Sequence, residues 1–412
     1  MTIFQKRYLI AILCFLVTLL SYAARTNISI VVPFLTSSRI DQSRILSSFY
    51  FGYITTQVFG GIWAHRFGAE NVLILGVIIW TISDLMTVFT ATNKVLLYLS
   101  RATMGLGEGI LFPCVHQISS TYPLRLKSRL VSIVSSGTDI GTITSMLLTP
   151  LLINMAGYPA VFVVFGSLSL LWILYFFHFE FIEKETLKID ESKNPDGEIA
   201  VWTPLLTHRS AWAIYAAHFS YNYGWYVLLG WIPQYYHQVL NIDFNAQGLT
   251  TIIPYICGYV GGICFGRIGD WLIVDRSVRV VSARKLINTL SFSLSALALY
   301  SLRFASPSKA TFLLSLTMFF GRGASAGYWV NMIDIGGTKA GMVMGVSNTI
   351  ATIPGVLGNL ITGYILQSSG SWDLVFGIAS AVLVAGAAIF AFCASDRNIF
   401  ESDIRPLALV RR

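Results

Sequence analysis

Residues 60–68 read GGIWAHRFG, and residues 261–270 read GGICFGRIGD. Gly60, Gly61, Ile62, Arg66 and Gly68 return as Gly261, Gly262, Ile263, Arg267 and Gly269, each at an offset of 201 in a chain of 412 residues. A lone glycine pair in an apolar helix reads as helix packing. Two copies half a chain apart, each closing the second apolar block of its half, predict a duplicated six-helix unit. Proteins built from such repeats place a binding site between the halves, near the bilayer midplane, and rock around it.

On either side of these copies, apolar blocks of about 20 residues recur from end to end. That is the length that carries a helix across a hydrocarbon core of about 30 Å. The chain is 55% hydrophobic and 12% charged, against about 25% charged in a soluble protein. Twelve spans are predicted near residues 8–35, 44–64, 70–91, 95–121, 128–155, 158–179, 210–238, 246–272, 284–304, 309–334, 339–367 and 372–394. The expected fold class is therefore an all-α membrane protein, since helices close their own backbone hydrogen bonds in lipid. The polar stretch 181–208, with Glu183, Lys184, Glu185, Asp190, Glu191, Lys193, Asp196 and Glu198, reads as a linker between halves at 1–180 and 209–412, the second with a short tail.

The loops set the orientation. With the amino terminus inside, 20 of the 28 Lys and Arg residues face the cytoplasm or stroma, five face outward and three fall within spans. The net charge of +8 is then a topology signal and not a nucleic-acid surface. Cys14, Cys114, Cys257, Cys264 and Cys393 all fall in spans without metal-type spacing, so neither a disulfide framework nor a metal site is expected. Lys6-Arg7 before an apolar run mimics a signal peptide, but the run continues to Leu35, too long for a signal core.

A charge at a helix centre costs about 2.5–3.5 kcal/mol on insertion scales and persists when it pairs or works. The spans hold Arg25, Asp84, Arg101, Glu108, Asp139 and Arg322, together with His116 and His218. Arg101 and Glu108 are seven apart and so share a helix face about 10 Å apart. That spacing suits a cavity where Arg holds an anion and Glu exchanges a proton; a structural Arg–Glu pair is the competing reading. Gly107 and Gly109 beside Glu108 let another helix approach. Arg25 offers a guanidinium fork for carboxylate or phosphate, or a tie to helix carbonyls or Asp139. Arg322, in Gly321-Arg322-Gly323, reads equally as site or scaffold. Asp84 and Asp139 read as counter-ions, and His116 as a packing or hydrogen-bonding residue. The run from His218 to Tyr226 can line an organic-anion site or simply pack. No phosphate-cradling glycine loop, GxSxG, HExxH or paired-Cys motif occurs, so neither ATP-driven pumping nor an enzyme is expected.

SYAARTNIS (21–29), SSFYFGYITTQVFGG (47–61), RATMGLGEGILFPCVHQ (101–117), HFSYNYGWYVLLGWIPQYY (218–236) and VNMIDIGGTKAGMVMGVSNTIATIPG (330–355) together resemble the anion–cation symporter family of the major facilitator superfamily. Its members include sialin, vesicular glutamate transporters, sodium-phosphate cotransporters, plant plastid anion transporters and bacterial sugar-acid transporters. The resemblance implies a twelve-helix facilitator fold with two pseudo-symmetric halves and alternating access. It implies substrate contacts at Arg25, Arg101, Tyr53, Gln57 and Asn348, and a protonation site at Glu108. The residues themselves add Tyr221, Asn222 and Arg322 as candidate substrate contacts. The sequence departs from the family at Ala24, where several members carry Asp, at Met104, and at Arg322 and Asp139. The expected activity is proton- or sodium-coupled symport of a small anion, inorganic phosphate before an organic carboxylate. The alternatives are a potential-driven anion channel or uniporter and a non-transporting anion sensor. No cofactor beyond the coupling ion, no nucleic acid and a monomeric state are expected.

Overall fold

The structure, a computed structural model, describes residues 3–36, 39–184, 198–239 and 247–400. Its α-helices are α1 (Ile3–Leu35), α2 (Arg39–Phe67), α3 (Ala69–Thr90), α4 (Lys94–Gly109), α5 (Leu111–Ser119), α6 (Lys127–Ala156), α7 (Tyr158–Lys184), α8 (Glu198–Thr207), α9 (Arg209–Gln238), α10 (Gln247–Val274), α11 (Val280–Ser301), α12 (Pro307–Gly321), α13 (Tyr328–Gly336), α14 (Ala340–Ser369) and α15 (Trp372–Cys393). No strand occurs among the described residues. Every predicted span meets a helix. Among the described residues, seven helical segments are apolar enough to cross a membrane on length and composition alone. Phe51, Phe89, Leu174, Leu297 and Phe392 stay exposed on the outer faces, an apolar girdle that suits lipid and not water. All five cysteines are free.

Two features depart from the sequence reading. First, α8 stands inside the predicted polar linker. The acidic residues dominate that stretch, but residues 199–206 read IAVWTPLL, and Leu205 is buried, its carbonyl accepting a 3.0 Å bond from the Tyr215 hydroxyl. Glu185, Asp190, Glu191, Lys193 and Asp196 lie outside the described residues, as do Lys188, Arg405, Arg411 and Arg412. Second, the fourth and tenth spans are each interrupted. In the fourth, α4 gives way to α5 at Ile110. Pro113 has no N–H for the Gly109 carbonyl four residues back, and its ring crowds that oxygen. In the tenth, the glycine-rich GRGAS forms a 3-10 turn over Arg322–Ser325 between α12 and α13. The fourth and tenth spans occupy the same place in their halves. Repeat transporters build midplane sites from such discontinuous helices.

The repeated glycines show the same correspondence in three dimensions. A Cβ on Gly60 would strike Ile110, in the fourth span of its own half; one on Gly261 would strike Phe319, the counterpart in the second half. Gly61 faces Gly341 at the start of α14, and Gly262 faces Ser132 and Ser136 of α6. In each copy, then, the first glycine seats its own half and the second seats the other half. Beyond the glycines, Asp270 accepts 3.0 Å bonds from the Ser128 and Arg129 backbone N–H groups at the start of α6. His65 lies 3.2 Å from the Thr338 carbonyl just before α14. Lys127 reaches Asp334 at 3.4 Å, and Arg284 holds the same carboxylate at 2.9 Å. These contacts shut the halves together at the end where the chain begins.

The close approach of α2 and α14 yields a prediction. A Cβ on Gly345 would press on the Gln57 carbonyl oxygen and the Val58 backbone. Gly345→Val should therefore prevent closure at this end and shift the population to the state opened there. A cysteine introduced at Ala340, which is buried at the closed end, should react with maleimide several-fold faster in that background. An unchanged labelling rate would show that α2 and α14 are not the closing surfaces.

Candidate anion-binding cavity

Between the halves lies a cavity. The first half contributes Tyr22, Tyr53, Phe112, Ser135 and Thr138; the second contributes His218, Tyr221, Asn222, Trp225, Tyr226, Arg322, Ser325, Tyr328, Trp329 and Asn348. The wall is aromatic with hydroxyls and amides set into it, a lining that fixes orientation through a few polar groups.

Arg25 stands behind this wall. Its Nη2 and Nε donate to Glu108 Oε2 at 2.8 and 3.1 Å. Ser21, one turn earlier on α1, donates to the same oxygen at 2.9 Å. The guanidinium lies over three rings, 4.8 Å from Tyr22, 4.7 Å from Phe49 and 4.5 Å from Tyr53. Tyr22 and Tyr53 line the cavity, so these two rings stand between Arg25 and the cavity. Glu108 is fully buried, and its Oε1 has no hydrogen-bond partner. The glycines flanking it act as read: a Cβ on Gly107 would meet the Gly76 carbonyl of α3, and one on Gly109 would meet Thr56 of α2.

Tyr53, Gln57 and Asn348 meet at the seam of the halves. Asn348 Nδ2 donates to the Tyr53 hydroxyl at 3.1 Å, and one turn on Gln57 Nε2 donates to Thr352 Oγ1 at 3.3 Å. Asn222 donates to the Ala351 carbonyl at 2.9 Å. Tyr221 stacks between Trp225 and Phe292. Arg322 donates from Nη2 to Thr138 Oγ1 at 2.7 Å and to Asp139 Oδ1, and lies 4.9 Å over the Trp225 ring.

Arg101 is placed elsewhere. It is 1% exposed, its nearest carboxylate is Asp84 at 3.7 Å, and none of its nitrogens forms a hydrogen bond. It does not line the cavity. The seven-residue spacing to Glu108 suggested those two as partners. Instead Glu108 turns to α1, and Arg101 faces α3 across the Gly76–Gly107 contact. Arg25 pairs with Glu108 and not with Asp139, and Arg322 takes Asp139. The six charges within the spans thus resolve into three pairs, Arg25–Glu108, Arg101–Asp84 and Arg322–Asp139.

Trp329 and Tyr328 escaped the sequence reading. Both follow the GRGASAG interruption of the tenth span, which is the signal that could have found them. Trp329 sits between two imidazoles, 5.1 Å from His116 and 5.1 Å from His218. His116 bonds through Nδ1 to the Phe112 carbonyl at 3.1 Å, and His218 Nδ1 lies 2.9 Å from the Ser347 hydroxyl.

The arrangement is charge-balanced when empty. An anion entering alone leaves an uncompensated charge in a dry interior, which is costly.

The profile of the Major Facilitator Superfamily matches residues 14–359. The chain is 34% identical to "Probable anion transporter 4, chloroplastic" of rice, over 97% of this chain and 70% of that protein. It is 33% identical to "Ascorbate transporter, chloroplastic" of Arabidopsis thaliana, over 97% of this chain and 76% of that protein. It is 34% identical to "Sodium-dependent phosphate transport protein 1, chloroplastic" of the same plant, over 97% and 81%. The Escherichia coli fucose:proton symporter shares the fold at 15% identity, with a TM-score of 0.72 over 94% of this chain and 99% of that one. These relatives are transporters and not enzymes, and the chain is a multi-pass membrane transporter of anions. It belongs to the Major Facilitator Superfamily and, within it, to the anion–cation symporter family.

Proposed function

We propose that the protein is a proton-coupled symporter of a small anion that works by alternating access. The observation that carries this is the Arg25–Glu108 pair beside the cavity: one carboxylate oxygen holds the guanidinium, and the other is buried and unpartnered. A proton on Oε1 cancels the charge that holds Arg25. The guanidinium then takes the carboxylate or phosphate of the substrate, a match of fork to anion. Loss of the anion lets Glu108 give up its proton and recapture Arg25. Tyr53, Asn348, Tyr221 and Asn222 orient the substrate, and Gln57 supports the seam. Arg101 with Asp84 serves as a buried prop whose charge the anion senses at a distance.

With the amino terminus inside, as the Lys and Arg distribution indicates, the closed end is cytoplasmic and the state is outward-facing. The relatives named for phosphate and for ascorbate support inorganic phosphate and small organic anions as the substrate classes. The test is uptake of labelled phosphate and ascorbate into proteoliposomes with an imposed pH gradient and the voltage held at zero. Accumulation against the anion gradient is expected, in choline as well as in sodium medium. Flux that ignores the pH gradient, and follows voltage when a potential is imposed in a companion run, would point to the channel. Binding without flux would point to the sensor, and a sodium requirement would replace the proton as coupling ion.

A further inference from the structure

Each interrupted span carries one charge at its interruption. Glu108 stands in the last turn of α4, two residues before Ile110, and Arg322 opens the 3-10 turn after α12. Each is paired to another helix, Glu108 to Arg25 and Arg322 to Asp139. The two pairs are built alike. In both, one carboxylate oxygen is buried without a hydrogen-bond partner, Oε1 of Glu108 and Oδ2 of Asp139. In both, a neighbouring hydroxyl joins the pair: Ser21 at 2.9 Å and Thr138 at 2.7 Å. In both, the guanidinium rests on a ring of the cavity wall, Tyr53 at 4.5 Å and Trp225 at 4.9 Å. Only the second pair joins the two halves, since Asp139 belongs to α6 and Arg322 to the turn beyond α12.

We propose that Asp139 and Arg322 form a second proton-released anion pole, and that the transported substrate is an organic dianion whose acidic groups are held by Arg25 and Arg322. This rests on the proton-coupled reading above. A proton added to Oδ2 of Asp139 removes the charge that holds Arg322. The guanidinium turns to the second acidic group of the substrate, and the tie between the halves loosens at the same step. Two protons then enter with two negative charges, and the loaded cavity stays balanced. The cavity wall carries Arg322, Tyr221 and Asn222 from one half and Tyr22 and Tyr53, the rings under Arg25, from the other, so a carbon skeleton placed there would have one acidic group toward each pole. The other titratable groups that face the pair are the phenols of Tyr22 on α1, Tyr221 on α9, Tyr255 on α10 and Tyr328 on α13. Phenols ordinarily ionise at about pH 10, so the proton belongs to the carboxyl group.

The test uses the full-length protein in proteoliposomes at zero voltage, with malate and 3-phosphoglycerate as two-headed probes and lactate as the one-headed probe. The wild type should favour the two-headed probes. Two coupled protons set the malate accumulation limit at about a hundred-fold per pH unit, and one proton sets lactate at about ten-fold. Asp139→Asn should lower the malate limit to about ten-fold and leave lactate unchanged. Arg322→Gln should remove the preference for malate while lactate uptake persists. The neutral pair Asp139→Asn with Arg322→Gln controls for folding and should behave as a one-proton lactate transporter. An unchanged malate limit in Asp139→Asn, or equal losses of both probes in Arg322→Gln, overturns the second pole. So does phosphate accumulation by a protein that refuses both two-headed probes. Those outcomes leave the symport reading standing. Failure of the wild type to accumulate any of these anions, phosphate and ascorbate included, overturns that reading instead.

Discussion

Glu108→Gln should abolish uphill anion accumulation while leaving anion binding intact. Glutamine keeps the volume and can still accept the hydrogen bond from Ser21, so packing between α1 and α4 changes little. It carries no charge, so Arg25 loses the partner that holds it at 2.8 Å. The variant rests permanently in the state that a proton produces in the wild type. Anion affinity should therefore hold or rise. Counterflow, the exchange of labelled for unlabelled anion, needs no proton step and should continue. Accumulation driven by a pH gradient should fall to the passive level. Both assays run on one proteoliposome preparation, so a folding defect would show as loss of both. Uphill accumulation that survives in Glu108→Gln would place the coupling group elsewhere.

Much of the fold was legible because lipid leaves the chain few choices. A backbone without water must close its hydrogen bonds as helix, so the count of apolar blocks is the count of spans. The duplicated glycine motif was legible for a related reason. Close approach needs the absence of a side chain, and that absence is visible in sequence. The interruptions were less so. Pro113 and the glycines of GRGAS could each mark simple packing, and only the observed turn shows that the backbone breaks there. Helix α8 was missed because acidic residues dominated the reading of its surroundings.

The charge pairing was the least legible part of the site. Spacing along one helix reports neighbours on one face, and for Arg101 it pointed to Glu108. Partners on other helices depend on how the helices rotate and tilt against one another. Gly107 against Gly76 turns Arg101 toward Asp84, while the packing of α1 against α6 at Gly137 and Gly141 carries Arg25 to Glu108. Arg322 and Asp139 lie 183 residues apart, and no local pattern could have joined them. What sequence reading did supply was the roster: all six charges that form the three pairs stood out as costly in an apolar span.

Arg25→Ala should cost both transport and stability, and the two losses can be separated. The substitution removes the guanidinium that is to grip the anion. It also leaves the Glu108 carboxylate buried at 0% exposure with Ser21 as its only hydrogen-bond donor. Removing one partner of a buried ion pair costs about 3–5 kcal/mol, mostly for the stranded charge. A lower thermal unfolding temperature in detergent is therefore expected, with a stronger dependence on pH than in the wild type. Stability should improve as pH falls, because protonating Glu108 removes the stranded charge. Adding Glu108→Gln to Arg25→Ala takes that charge away and should recover most of the lost stability. It should not recover transport, since no guanidinium remains at that pole. Arg25→Lys provides the companion case: the charge stays, the fork is lost, and stability should fall less than transport. If the double variant regains stability and also transports anion at the wild-type rate, Arg25 is a structural counter-ion and the anion is held by other groups.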